Sequence, residues 1–262
     1  MSEVNEYAPG TFSWVDLATT DARAARQFYT GLFEWSFEDL PMGEGNFYTM
    51  LKHKGKEVAA LYEQVPEQRS QGVPPHWLSY VTVSDADESA NKAKSLGGNV
   101  LMEPFDVMES GRMALVQDPT GATFAMWQPR THIGAQLVNE PCSLCWNELA
   151  TNDTAKAGAF YTGLFGWGTQ VQDTGQMVYT TFTNNDQPGA GMMPIAQEWG
   201  DIPPHWMVYF AVEDCEAAVQ KAQSLGGQVV VPPTDAADVG RFAIIQDPQG
   251  AMFSVIKLNE PA

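Results

Sequence analysis

One carboxylate and one imidazole recur at corresponding places in the two halves of the chain. Asp16 and His76 fall in predicted strands of the first half, and Glu148 and His205 fall in those of the second. Because side chains alternate between the faces of a strand, the spacing directs each pair to one cleft. Such a pair could act as a general acid and base, or as part of a displaced metal site. The alternatives are a buried, hydrogen-bonded pair, or a histidine that caps a backbone carbonyl at the mouth of a strand.

Aromatic side chains and a methionine accompany these positions. The aromatic rings could stack on a planar organic ligand, or they could fill a core. Methionine would add a soft wall suited to varied apolar ligands. The predicted ligand contacts are Trp14, Tyr80 and Trp127 in the first half, and Trp146, Met193 and Tyr209 in the second.

A Gly-Arg pair places one cation beside a late strand of each half. Arg112 and Arg241 each follow a glycine in a very acidic chain. A guanidinium there could bind a ligand carboxylate, and the alternative is a structural ion pair.

The element that positions these residues is a helical segment that the chain contains twice, at 19–35 and 151–167. Asp21 and Asp153 are placed to accept hydrogen bonds from the first turn of each helix. Gly31 and Gly163 are predicted to end the helices in a left-handed conformation, which glycine adopts at little cost. The copied segment indicates a duplicated domain.

Further repeats complete the pattern. The sequence PPHW occurs at 74–77 and 203–206, LGG at 96–98 and 225–227, and QDPxG at 117–121 and 246–250. The first half is predicted to have strands at 11–18, 36–39, 46–52, 57–62, 76–83, 99–103, 112–117 and 123–128, a second helix at 85–96 and a linker at 63–75.

These elements predict an α+β fold of four βαβββ modules. The modules form two tandem domains, at 8–130 and 142–259, joined by a linker at 131–141. Two modules side by side would make one curved mixed sheet whose concave face must be filled by a ligand, a metal or side chains.

Composition limits the partners. The net charge of −18 argues against binding to nucleic acid or to an anionic membrane. No apolar run approaches the roughly 20 residues of a membrane span, and the N-terminal stretch is polar and acidic. We therefore expect a cytoplasmic protein, monomeric or homodimeric, whose partner is a small organic molecule.

The three cysteines give little indication of a redox or metal site. Cys142 and Cys145 have a C-x-x-C spacing, but the first repeat has no counterpart and no second metal-binding pair exists. Together with Cys215, they are interpreted as ordinary thiols of a reducing cytosol.

The order strand, Asp-capped helix, Phe-Tyr-x-Gly-Leu-Phe, Leu-Gly-Gly and Asp-Pro-x-Gly resembles the vicinal oxygen chelate superfamily. This group includes glyoxalase I, bleomycin-resistance proteins and extradiol dioxygenases. The resemblance covers nearly the whole chain and recurs in both halves. The tandem form is similar to two-domain glyoxalase-like proteins of actinobacteria.

The resemblance implies positions for a divalent metal, held in the family by His, Gln or Glu. Those positions fall on Trp14, Leu78 and Ala125 in the first half, on Trp146, Met207 and Ser254 in the second, and near Ala60 and Gly191. The six counted positions carry no good metal ligand. No cofactor is therefore expected, and a divalent metal stays an open alternative.

Three functions follow. The first is binding of a small organic molecule in the sheet clefts without the family's metal site. The second is a glyoxalase-type lyase or isomerase that moves a proton beside a carbonyl with Asp16 and His76, or with Glu148 and His205. The third and weakest is a dioxygenase or hydroxylase, because two histidines and one carboxylate cannot be assembled for iron.

Overall fold

The computed structural model describes residues 3–43, 45–173, 175, 178–236 and 239–259. The first half contains β1 Phe12–Thr19, α1 Ala22–Phe33, β2 Ser36–Gly43, β3 Asn46–His53, β4 Lys56–Glu63, α2 Pro66–Ser70, β5 His76–Thr82, α3 Ala86–Ser95, β6 Asn99–Val107, β7 Gly111–Gln117 and β8 Thr123–Pro129. The second half contains β9 Leu144–Thr151, α4 Thr154–Phe165, β10 Gly168–Asp173, β11 Val178–Asn184, β12 Gln187–Pro194, a 3-10 turn Gln197–Trp199, β13 His205–Ala211, α5 Cys215–Ser224, β14 Gln228–Ala236, β15 Gly240–Gln246 and β16 Met252–Leu258.

Each half folds into one eight-stranded mixed sheet, so the predicted α+β fold of tandem domains is confirmed. The strand orders are β2-β3-β4-β1-β5-β8-β7-β6 and β10-β11-β12-β9-β13-β16-β15-β14. In each sheet the first strand of one module pairs antiparallel with the first strand of the next, as β1 does with β5. The first and fourth strands of a module pair parallel, and the sheets remain open. No helix in the described ranges is long and apolar enough to cross a membrane.

The repeated helices begin as predicted and end differently. Asp21 accepts a hydrogen bond from the Ala24 backbone N–H at 2.9 Å, and Asp153 does the same for Lys156. The prediction for Gly31 and Gly163 is wrong, because both glycines lie inside their helices.

The left-handed residue is Glu34 at the end of α1 and Gly166 at the end of α4. The two internal glycines instead allow a close approach between domains. A Cβ atom on Gly31 would lie 3.1 Å from Leu225, and one on Gly163 would lie 3.1 Å from Leu96. The polar stretch at 63–75, predicted as a linker, contains the short helix α2, with a proline at its start.

The convex faces of the two sheets pack against each other and form two apolar clusters, each with residues from both halves. One apolar cluster combines Leu17 and Phe33 of the first half with Phe210 and Phe253 of the second. A second cluster combines the remaining modules, including Phe124 and Tyr161. The domains are therefore packed back to back, and their concave faces point away from each other.

A buried tyrosine bridges the domains in each cluster. Tyr161 donates from its hydroxyl to Asp118 Oδ2 at 3.0 Å and accepts from the indole N–H of Trp206 at 2.8 Å. Tyr29 makes the equivalent pair of bonds with Asp247 and Trp77. The Asp-Pro-x-Gly turns thus supply the acceptors that connect one half to the other.

Candidate functional site

Strand alternation and register assemble the first cleft from central strands. In β1, Trp14 and Asp16 share one face, and their register partners in β5 are Tyr80 and Leu78. Asp16 is also opposite Ala60 in β4. The other concave residues are Met50, Ala125 and Trp127, with Tyr48, Met113 and Leu115 packed beside them.

The carboxyl of Asp16 is the polar centre of this cleft. Its Oδ2 accepts hydrogen bonds from the hydroxyls of Tyr80 at 2.8 Å and Tyr48 at 3.0 Å. The indole N–H of Trp14 donates to Tyr48 Oη at 3.0 Å, which orients that hydroxyl. Burial raises the pKa of Asp16 to about 6, against the opposing effects of the two tyrosines and of His132.

The second cleft repeats this arrangement with glutamate. Glu148 Oε1 accepts from Tyr209 and Oε2 accepts from Tyr179, both at 2.7 Å. The indole N–H of Trp146 donates to Tyr179 Oη at 3.1 Å. Burial is the largest cause of the raised pKa of Glu148, and His205 opposes it. Each carboxyl therefore accepts hydrogen bonds from two tyrosine hydroxyls, and a tryptophan indole orients one of these hydroxyls.

The longer side chain of Glu148 in the second cleft is matched by a smaller residue opposite it. Gly191 is the register partner of Glu148, whereas Ala60 is the partner of Asp16. A Cβ atom on Gly191 would lie 1.9 Å from Tyr179 Oη and 2.9 Å from the Trp146 indole nitrogen. The glycine thus leaves room for the tyrosine that binds Glu148.

The two predicted histidines, His76 and His205, are the first residues of β5 and β13. His76 Nδ1 is 2.8 Å from the carbonyl oxygen of Pro74, and His205 Nδ1 is 2.9 Å from that of Pro203. The alternative of a histidine that caps a backbone carbonyl is therefore confirmed. Among the described residues, no hydrogen bond joins His76 to Asp16 or His205 to Glu148. The acid–base role of these pairs stays a prediction.

A third histidine, which the sequence analysis missed, lies in the first cleft. The His132 ring packs edge-on against Trp14 with centroids 4.6 Å apart, and the Trp127 indole N–H donates to its backbone carbonyl. Its segment crosses the cleft, because the Ala135 N–H donates to Ser13 O at 2.7 Å. No repeat signal could have found His132, since it lies in the unrepeated stretch between the domains.

Of the remaining predicted ligand contacts, some lie on the concave faces of the sheets and others on the opposite faces. Trp127 lies in the first cleft cluster, and Met193, two residues beyond Gly191 in β12, shares the face of Glu148. Arg112 and Arg241 lie on the opposite faces. Arg112 alternates with the concave residue Met113 and pairs with Asp87 and Asp106.

Arg241 pairs in the same way with Glu216 and Asp235. The alternative of structural ion pairs is therefore confirmed for both arginines, and their contact with a ligand carboxylate stays a prediction.

The thiols are free. Cys145 lies beside the second cleft cluster, and burial raises its pKa to about 12. Burial also raises the pKa of Cys142. Raised values keep thiols protonated, so this C-x-x-C pair lacks the electrostatic setting of a reactive cysteine.

The clefts offer too few donors for the divalent metal that the fold family implies. In the first cleft, Asp16 is the carboxylate among the register neighbours Trp14, Ala60, Leu78 and Tyr80. Across the described parts of the chain, no three His, Cys, Asp or Glu side chains are grouped so that they could hold a metal ion. The residues present therefore do not fit that metal.

Solved structures share the architecture. A Mn(II)-bound glyoxalase from Novosphingobium aromaticivorans superposes with a TM-score of 0.64 at 13% identity, covering 96% of this chain and 83% of its own. The 2,3-dioxygenase LapB from Pseudomonas sp. KL28 gives 0.64 and 13%, covering 97% and 96%. At these identities the likeness shows the fold, which is that of a tandem glyoxalase-type protein.

Sequence comparison gives the family. The profile described as Glyoxalase/Bleomycin resistance protein/Dioxygenase superfamily matches residues 11–126 and 143–255. CFP32 of Mycobacterium tuberculosis (strain CDC 1551 / Oshkosh), named as a candidate glyoxylase, is 43% identical over 260 residues, 98% of each chain. The anthracycline biosynthesis protein DnrV of Streptomyces peucetius is 37% identical over 269 residues, 98% of this chain and 96% of its own. The chain belongs to this superfamily.

Proposed function

We propose that the protein binds a small, flat organic molecule in its sheet clefts without using a bound metal. The proposal rests on an arrangement of side chains that occurs at the centre of both clefts. One buried carboxyl is held there by two tyrosine hydroxyls among aromatic side chains, and the six counted metal positions carry no good metal ligand. Aromatic walls around a few placed polar groups are typical of small-molecule sites.

The relatives support a planar ligand. DnrV and DauV are named as anthracycline biosynthesis proteins, and an anthracycline contains a flat polycyclic aromatic system. Trp146, Tyr179 and Tyr209 are the rings of the second cleft that could contact such a surface. Several side chains of this cleft are only partly buried, as Trp146 and Phe242 are.

Tryptophan fluorescence tests this proposal. Chelator-treated protein is titrated with 1,8-dihydroxyanthraquinone, and saturable quenching is expected. Trp146→Phe should reduce the quenching that arises at the second cleft. Trp199→Phe, which replaces an exposed tryptophan, serves as the control. Absence of saturable binding to the wild type would contradict the proposal.

A glyoxalase-type lyase or isomerase is the second candidate. It is favoured by the electrostatic effect of His205 on Glu148 and by the raised pKa of Asp16, since a buried carboxyl can exchange protons near neutral pH. Turnover of methylglyoxal with a thiol, measured for the wild type, His76→Ala and His205→Ala, tests it. Equal rates for the three proteins would remove both histidines from the mechanism.

A further inference from the structure

The two clefts differ in how far their central residues are exposed. In the first cleft, Trp14 is 3% exposed and Asp16 is 2% exposed. The corresponding residues of the second cleft, Trp146 and Glu148, are both partly exposed. A ligand can therefore reach Trp146 and Glu148, whereas Trp14 and Asp16 are covered.

The stretch 131–138, which lies between the two domains, covers part of the first cleft and is called the plug below. The ring of His132 packs edge-on against Trp14, with the ring centroids 4.6 Å apart. Ala135 and Val138 pack in the same apolar cluster as Trp14. Residues of the chain itself thus occupy space beside the aromatic rings that a ligand would need.

Backbone hydrogen bonds fix the plug between two strands of the first sheet. The Ala135 N–H donates to the carbonyl oxygen of Ser13 in β1, and the Gln136 N–H donates to that of Glu57 in β4, both at 2.7 Å. The side-chain oxygen of Gln136 also accepts from the Glu57 N–H at 3.0 Å. Because buried backbone groups without partners are costly, a ligand that displaced the plug would have to offset the loss of these bonds.

Gly134 allows the plug to approach β1 this closely. Its φ of 109° lies in the region that favours glycine. A Cβ atom at this position would collide with the carbonyl oxygen of Ser13. Any larger residue at position 134 should therefore push the plug away from the sheet.

The second sheet has no such plug within the described ranges. Cys145 precedes the tryptophan of the second cleft as Ser13 precedes Trp14, but no backbone hydrogen bond joins Cys145 to a segment outside its sheet in this part of the chain. Pro188 corresponds to Glu57, since each lies three residues before the register partner of its cleft carboxyl. Proline has no N–H, so it cannot reproduce the bond that Glu57 donates to the plug.

We propose that the second cleft is the ligand site of this protein, and that the plug keeps the ligand out of the first cleft. This inference rests on the proposed function and assigns it to one of the two clefts. It also gives the unrepeated stretch between the domains a role that the repeated elements do not have.

Calorimetric titration with 1,8-dihydroxyanthraquinone counts the sites. The wild type is expected to bind one molecule per chain. Two sites per chain would overturn the inference and leave the proposed function intact. Absence of any binding would refute the proposed function as well.

Two matched substitutions locate the site. Trp146→Phe should weaken binding several-fold, because the smaller ring offers less contact area to a flat ligand. The exposed Trp199→Phe should leave the affinity unchanged. Loss of binding in Trp14→Phe, with full affinity in Trp146→Phe, would place the ligand in the first cleft and refute the inference.

Release of the plug gives an independent test. Gly134→Ala should displace the plug and raise the stoichiometry from one to two sites per chain. Gly72→Ala is the matched control, because Gly72 also has a positive φ, of 71°, but a Cβ atom there would meet nothing within 4 Å. This control should keep one site.

Hydrogen exchange of the Ala135 amide measures the release without a ligand. Exchange should be slow in the wild type and fast in Gly134→Ala, and Gln136→Pro added to this variant removes both hydrogen bonds with Glu57 where alanine alone does not release the plug. Fast exchange in the wild type would overturn the inference. Fast exchange in a released variant that still binds one molecule per chain would overturn it as well.

Discussion

Replacing Asp16 by asparagine should change how the stability of the protein depends on pH. Burial raises the pKa of this carboxyl from 3.8 to about 6 in the folded state. In the unfolded chain the carboxyl returns to its ordinary pKa. The folded protein therefore holds the proton more tightly, and ionisation of Asp16 opposes folding.

The sign and size of the effect follow from these two pKa values. The ionisation of Asp16 should therefore lower the stability of the wild type as the pH rises from about 4 to about 6, and this contribution should be complete above that range. A difference of about two pKa units corresponds to about 3 kcal/mol. Because asparagine does not titrate, the stability difference between Asp16→Asn and the wild type should shift by that amount in favour of the variant.

Urea unfolding at a series of pH values between about 4 and 8 measures this shift. The titratable groups that face Asp16 are Tyr48, Tyr62, Tyr80 and His132. Burial raises the pKa of Tyr62 to about 12 and those of Tyr48 and Tyr80 well above their ordinary value, so the tyrosines stay neutral throughout the experiment.

His132→Gln in both backgrounds separates the remaining histidine from Asp16, and Glu198→Gln serves as the exposed control. Parallel stability curves for the wild type and Asp16→Asn would refute the reasoning, because they would mean that the carboxyl has the same pKa in the folded and unfolded states.

Three further substitutions test the packing that positions the clefts. Tyr161→Phe leaves Asp118 and the Trp206 indole N–H without this partner, so chemical denaturation should show a loss of about 1–3 kcal/mol; a loss below about 0.5 kcal/mol would contradict the bridge. Gly191→Ala should displace Tyr179 from Glu148 and cost about 1–3 kcal/mol, whereas Gly189→Ala, where the nearest atom is 3.8 Å away, should not; equal effects would contradict the steric argument. Gly163→Ala should gain less than the roughly 1 kcal/mol expected for glycine to alanine inside a helix, because the new methyl group meets Leu96, and Leu96→Ala should restore that gain; additive effects measured by thermal unfolding would show that the two residues do not interact.

Local features were largely predictable from the sequence. The aspartate caps, the apolar spacing and the repeated turns are local signals. The strands and helices that they predicted are present, some longer and some shorter than predicted. The sheet face of Trp14 and Asp16 followed from strand alternation alone.

Contacts between distant parts of the chain were not predictable in this way. Nothing in the sequence near Tyr29 indicates that its hydroxyl reaches Asp247, since that contact depends on how two completed domains pack. The same cause explains Gly31, which is typical of a helix end but serves the contact with Leu225.

In the candidate site, too, some residues could be predicted from the sequence and others could not. Tyr48 and Tyr179 stand at matching places in the repeat, and the repeat could have revealed them. His132 has no repeated counterpart, and its role depends on the path of residues 131–138 across the first cleft.

The central claim is that the clefts bind an organic ligand through aromatic side chains and a carboxyl rather than through a bound metal. Calorimetric titration of chelator-treated protein with 1,8-dihydroxyanthraquinone tests it most directly. We predict saturable binding that stays the same when Mn²⁺, Ni²⁺, Zn²⁺ or Fe²⁺ is added back. Binding that disappears after chelation and returns with one of these ions would contradict the claim.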